Sequence, residues 1–103
     1  MKMITSVEEF NSVISSGSVL VDFFATWCGP CKMLTPVLEE LSEEMADKAT
    51  IVKVDVDELG DIASQYRIMS IPALFVFKNG ELKEKVVGFQ PKPALVKLIE
   101  RNL

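Results

Sequence analysis

The chain has 103 residues, 49% hydrophobic and 25% charged, with a net charge of -4 at neutral pH and no histidine. That length and apolar content suit a single domain over residues 1–103 that can fold on its own core without a disulfide or a metal. The acidic balance argues against nucleic acid and anionic membrane surfaces, since both select basic patches, and no apolar run approaches the roughly 18 residues needed to cross a bilayer.

The opening "MKMITSVEEF" lacks the apolar core of a secretory leader, so a reducing cytoplasm is the expected compartment. Ser6 followed by Glu9 reads as a capping box. It opens a helix with Val7, Phe10, Val13 and Ile14 on its apolar face, and Gly17 can end it. "SVLVDFFA" is apolar on both faces, as a central strand covered by helices on both sides should be. "CKMLTPVLEELSEEMADK" carries Leu34, Val37, Leu38, Leu41 and Met45 at helical spacing. Pro36 interrupts it and predicts a kink, because an interior proline costs on the order of 3 kcal/mol.

"TIVKVDV" predicts a second buried strand, and "ELGDIASQY" a short helix weakened by Gly60. "ALFVF" and "ELKEKVV" read as strands joined by a hairpin at Asn79-Gly80, the dipeptide that type I′ turns select. The charged alternation of Lys83, Glu84 and Lys85 suits a sheet edge. "KPALVKLIERNL" closes the chain as a helix with Leu95, Leu98 and Ile99 inward. The expected architecture is α/β, a mixed sheet between helices with a right-handed strand-helix-strand crossover.

Both cysteines fall in "WCGPCKM", with only Gly29 and Pro30 between Cys28 and Cys31. A structural staple closing so short a loop is worth about 2 kcal/mol and clips a turn that helix hydrogen bonds already hold. Structural zinc wants four ligands; two sulfurs and no imidazole would need carboxylates or a second chain to complete the set. The reactive reading fits more of the surroundings. The pair sits where a strand gives way to a helix, at a strand's carboxyl end. Cys28 falls near the helix N-cap, where unpaired N–H groups and the positive end of the helix dipole favour a thiolate. Pro30 suits the first turn, where its missing N–H costs nothing, and Cys31 lies one turn further in. A CxxC beside a strand-helix-strand pattern favours redox chemistry.

Asp22 is the odd residue of "VLVDFFA". It is either a hydrated aspartate near a strand end or a buried carboxylate whose pKa is raised, able to act as a base. Lys53 in "IVKVDV" is likewise either a snorkelling surface lysine or a charge within the sheet. Trp27 by itself reads as a core residue, and Gly88 as an ordinary strand-end glycine. An X-Pro bond at Pro72 is trans by frequency alone.

"VDFFATWCGPCKMLTPVLEEL", "VDVDE", "SIPALFVFKNGE" and "VVGF" together resemble the thioredoxin family, in its order and spacing, over essentially the whole chain. The resemblance implies a five-stranded mixed sheet flanked by four helices, with the hairpin near the C-terminus. It implies a general reductant of protein disulfides, with no bound cofactor and no metal, in which Cys28 attacks a target disulfide and Cys31 resolves the mixed disulfide. A flavin-containing thioredoxin reductase would restore the dithiol with electrons from NADPH. The resemblance assigns Asp22 as the proton acceptor for Cys31, Lys53 as its neighbour, and Gly29 and Pro30 as residues that tune the pair. It makes Pro72 a cis-proline facing the cysteines, with the Ile71 backbone free to pair with an extended target. Trp27, Ile71, Pro72, Val87, Gly88 and Phe89 border the target groove, and the protein is expected to be monomeric. Phe24 stands where the family often has Trp, which leaves the chemistry untouched and Trp27 as the single tryptophan, and Ala73 stands where Thr is more usual, with a minor effect expected; Ser70, where Gly is frequent, and the large Phe89 bear on target preference. An oxidant or isomerase, or a binding module built on the patch around Trp27, are the competing readings.

Overall fold

A computed structural model describes all of residues 1–103. Its elements in chain order are β1 (Lys2–Met3), α1 (Val7–Ile14), β2 (Ser18–Phe24), α2 (Gly29–Glu44), β3 (Thr50–Asp55), α3 (Gly60–Gln65), β4 (Ala73–Lys78), β5 (Glu81–Val87) and α4 (Lys92–Glu100). The five strands form one sheet in the order β1-β3-β2-β4-β5. The β1–β3 and β2–β3 pairs are parallel, while β2–β4 and β4–β5 are antiparallel. This is the thioredoxin fold.

Helices cover both faces of the sheet. Phe10 and Ile14 of α1 and Ile62 of α3 pack with Val19, Val21, Phe23, Phe75 and Phe77 on one face. Leu34, Leu38 and Leu41 of α2 and Leu95, Leu98 and Ile99 of α4 pack with Leu20, Ile51, Leu74 and Val76 on the other. Burial of both kinds along β2 is why its sequence shows no polar face. Leu34 and Leu38 are fully buried, each contributing about 1.5–3 kcal/mol to holding α2 on the sheet.

Local chemistry explains some element ends. Ser6 caps α1, accepting from the Glu9 N–H at 3.1 Å. The capping box closes one residue further out than its usual form, since Glu9 Oε1 accepts from the Thr5 N–H. α1 ends at Ile14, before Gly17. Pro36 lies inside α2, which continues on both sides of it. α2 stops at Glu44, four residues short of the expected end, and α4 stops at Glu100 rather than at the last residue. Gly60 opens α3 instead of interrupting it. Asn79 and Gly80 both have positive φ, 50° and 85°, as their turn requires.

β1 has no counterpart in the element-by-element reading. It is two exposed residues held by parallel pairing of Lys2 with Val52 and Met3 with Lys53. No helix is long and apolar enough to cross a membrane.

Candidate active site

Cys28 is the N-cap of α2, in extended conformation, and its Sγ accepts from the Cys31 N–H at 3.2 Å. That sulfur takes up one of the N–H groups that every helix start leaves unpaired. Gly29 and Pro30 fill the first two helical positions and are exposed. Cys28 and Cys31 are joined as a disulfide with Cα atoms 5.3 Å apart. They pack with Phe24 and Ala25 at the end of β2, and are 5% and 2% exposed.

The Ile71–Pro72 peptide is cis. The Ile71 carbonyl oxygen lies 4.0 Å from Cys28 Sγ, and the Gly88 N–H donates to the Pro72 carbonyl at 2.8 Å. The Pro72 and Gly88 segments therefore meet beside the cysteines. Pro72 is buried, while Ile71 and Gly88 are half-buried. Trp27, Val87 and Phe89 are exposed, Trp27 at 69%. The indole N–H of Trp27 donates to Asp57 Oδ2 at 2.9 Å, which fixes the ring at the surface.

Asp22 is fully buried, the only charged residue that is. It shares the face of β2 with Leu20 and Phe24, the face that α2 covers. Neither of its carboxyl oxygens has a hydrogen-bond partner. Burial pushes its pKa up from the ordinary 3.8 to about 7, against the opposing attraction of Lys53. Lys53 is its direct partner across the β2–β3 pairing. The Lys53 ammonium is half-buried, stands 4.1 Å from the centre of the Phe24 ring, and donates to Thr35 Oγ1.

Three neighbours of the site were not singled out from the sequence. Met33 and Met69 are exposed at 63% and 91% and lie close to it in sequence, Met33 two residues after Cys31 and Met69 two residues before Ile71. Met69, Ser70 and Val87 also line a cleft of about 190 Å³ that reaches the Phe75 side of the sheet. The third is Thr35, whose place four residues after Cys31 was visible but whose tie to Lys53 was not. No group of three or more His, Cys, Asp and Glu side chains converges as a metal site.

The Thioredoxin family model matches residues 1–101. A thioredoxin of Staphylococcus epidermidis is 57% identical over 95 residues, covering 92% of this chain and 91% of its own. One from Bacillus subtilis is 55% identical over 96 residues, covering 93% and 92%. The solved structure of a Plasmodium falciparum thioredoxin superposes with a TM-score of 0.92 at 42% identity, covering all of both chains. With a CxxC disulfide at a helix N-cap, these likenesses identify a thiol–disulfide oxidoreductase with protein-disulfide reductase activity. The chain belongs to the thioredoxin family.

Proposed function

We propose that the protein is a general cytoplasmic reductant of protein disulfides, working as a monomeric single domain and recycled by an NADPH-dependent thioredoxin reductase. The observation that carries this reading is the Cys28–Cys31 disulfide at the start of α2, beside exposed apolar side chains. In the reduced protein the helix N-terminus favours Cys28 as the thiolate. That thiolate attacks one sulfur of a target disulfide and forms a Cys28–target bond, and the second target sulfur leaves as a thiolate. Asp22 takes the proton of Cys31, whose sulfur then bonds to Cys28 Sγ and releases the first target sulfur. Two electrons pass to the target, and the protein is left as the disulfide.

Trp27, Ile71, Pro72, Val87, Gly88 and Phe89 act as the target groove, with the Ile71 backbone as the edge an extended segment pairs with. Gly29 lets that segment approach the sulfurs closely. Asp22 is suited to its role because a carboxyl with a pKa of about 7 is half ionised at working pH and still basic enough to accept a thiol proton. Insulin reduction coupled to NADPH through a thioredoxin reductase tests the reading. Wild-type protein should turn over, Cys28→Ser should not, and Cys31→Ser should accumulate mixed disulfides. Sustained turnover by Cys28→Ser, or none by wild type, sinks the proposal.

A further inference from the structure

Thr35 sits four residues after Cys31, so its side chain returns to the turn that bears the resolving sulfur. Its hydroxyl donates to the Cys31 carbonyl at 3.2 Å. The proton is thereby used, but lone pairs remain, and Lys53 Nζ donates to one at 3.1 Å. The same ammonium leans over the Phe24 ring. Across the β2–β3 pairing stands Asp22, buried, with both oxygens unpartnered. An ammonium facing a buried carboxyl would ordinarily pair with it. Here it is turned to a hydroxyl and a ring instead.

We propose that Thr35 is a positioning residue for the resolving half-reaction: its hydroxyl holds the Lys53 ammonium off the Asp22 carboxylate, leaving that carboxylate free to take the Cys31 proton. This rests on the reading of Asp22 as the base. A carboxylate hydrogen-bonded by an ammonium loses affinity for a proton, whereas one left alone in an apolar setting keeps it. Lys53 of β3 is the charge acting on Asp22. Its β4 partner is Leu74, α4 brings Leu95, Leu98 and Ile99 to that face, and α2 brings the two cysteines. In the step served, the Asp22 carboxylate gains the proton and Cys31 sulfur bonds to Cys28 Sγ. The Cys28–target bond breaks, and the target sulfur leaves with its electron pair.

Thr35→Val keeps the branched shape and a similar helix propensity but removes the hydroxyl; Thr35→Ser keeps the hydroxyl. Two readouts apply. Carboxyl-carbon NMR of the oxidised protein gives the Asp22 titration midpoint. Stopped-flow reaction of the reduced protein with dithiobis(nitrobenzoate) gives two releases, first attack and then resolution, each followed against pH. Thr35→Val is expected to lower the Asp22 midpoint by about one pH unit. The pH inflexion of the second release should follow it, the first release should not move, and Thr35→Ser should behave as wild type. In a Lys53→Met background, Thr35→Val should shift neither readout. An Asp22 midpoint that Thr35→Val leaves unchanged or raises overturns the proposal, as does a shift that survives without Lys53. A second release indifferent to Asp22→Asn overturns the base reading instead; the midpoint, which reports the hold on Lys53 by itself, keeps the two failures apart.

Discussion

Cys28 and Ile71 are 43 residues apart in the chain, yet the Sγ of one lies 4.0 Å from the carbonyl oxygen of the other. The proposed nucleophile and the backbone proposed to receive the target are therefore neighbours, brought together by the start of α2 and the segment leading into β4. Cys31 lies deeper, behind Cys28. In the reduced protein, alkylation by iodoacetamide near neutral pH should reach Cys28 several-fold faster than a free cysteine peptide and leave Cys31 largely untouched. Mass spectrometry of the labelled peptide checks this, and equal labelling of the two sulfurs would contradict the assignment of roles.

Asp22 makes stability depend on pH in the direction opposite to a salt-bridged carboxylate. The folded protein holds its proton up to about pH 7, while an ordinary aspartate releases it near 3.8. Between those values the folded state binds more protons than the unfolded chain, so stability falls as pH rises. The loss is complete above pH 7 and amounts to about 4 kcal/mol. Asp22→Asn removes the ionisation. In the oxidised protein it should raise the urea midpoint at pH 8 and change it little at pH 4. A gain that is the same at both pH values would rule out ionisation of Asp22 as the cause.

What the sequence made legible follows from how local each cause is. The cysteine pair, the Ser6 cap and the Asn79-Gly80 turn are set by neighbours within a few positions, and each is where local chemistry puts it. In the sequence Asp22 admits two readings because its own strand cannot say which helix will cover it; α2, from elsewhere in the chain, decides. β1 carries no alternation in two residues and exists only through its pairing with β3. Thr35 and Lys53 are ordinary residues in their own elements, and only the packing of α2 on β3 makes them partners. Val87, Gly88 and Phe89 enter the proposed target groove through the family likeness, not from their own pattern.

Gly88 has φ of 94°, in the region that only glycine enters without strain. A Cβ there would meet nothing within 4 Å, so an alanine suffers from its backbone conformation and not from a clash. Gly88→Ala should cost about 1–2 kcal/mol of stability. Denaturant melts measure this, and an unchanged midpoint would show that the turn can relax at no cost.

Trp27 is the single tryptophan, adjacent in sequence to the reactive sulfur and tied by its indole N–H to Asp57. Disulfides quench neighbouring indoles, so its emission should rise when Cys28 and Cys31 are reduced. The midpoint of that rise in a redox titration should coincide with the midpoint for activity. Asp57→Ala frees the ring, and the rise should shrink. Emission that ignores the redox state would mean the indole does not sense the pair.

The C-terminal end of α4 is tied to the edge strand by one carboxylate. Arg101 donates from Nε and a terminal nitrogen to the two oxygens of Glu84, and Asn102 Nδ2 donates to Glu84 Oε1 and to the Leu98 carbonyl. The Arg101 hydrogen bond, followed by that of Asn102, pulls the Glu84 pKa down to about 2. The tether's contribution is therefore present above the ordinary glutamate range and is lost as pH falls through about 2. Chain ends fray unless held, and here β5 does the holding. Glu84→Gln should speed amide exchange several-fold in residues 99–103 while leaving the first turn of α4 unchanged, and high salt should produce part of the same loosening in wild type. Hydrogen–deuterium exchange at neutral pH resolves both effects. If residues 99–103 exchange at the same rate in Glu84→Gln as in wild type, the tether does not hold the end of α4.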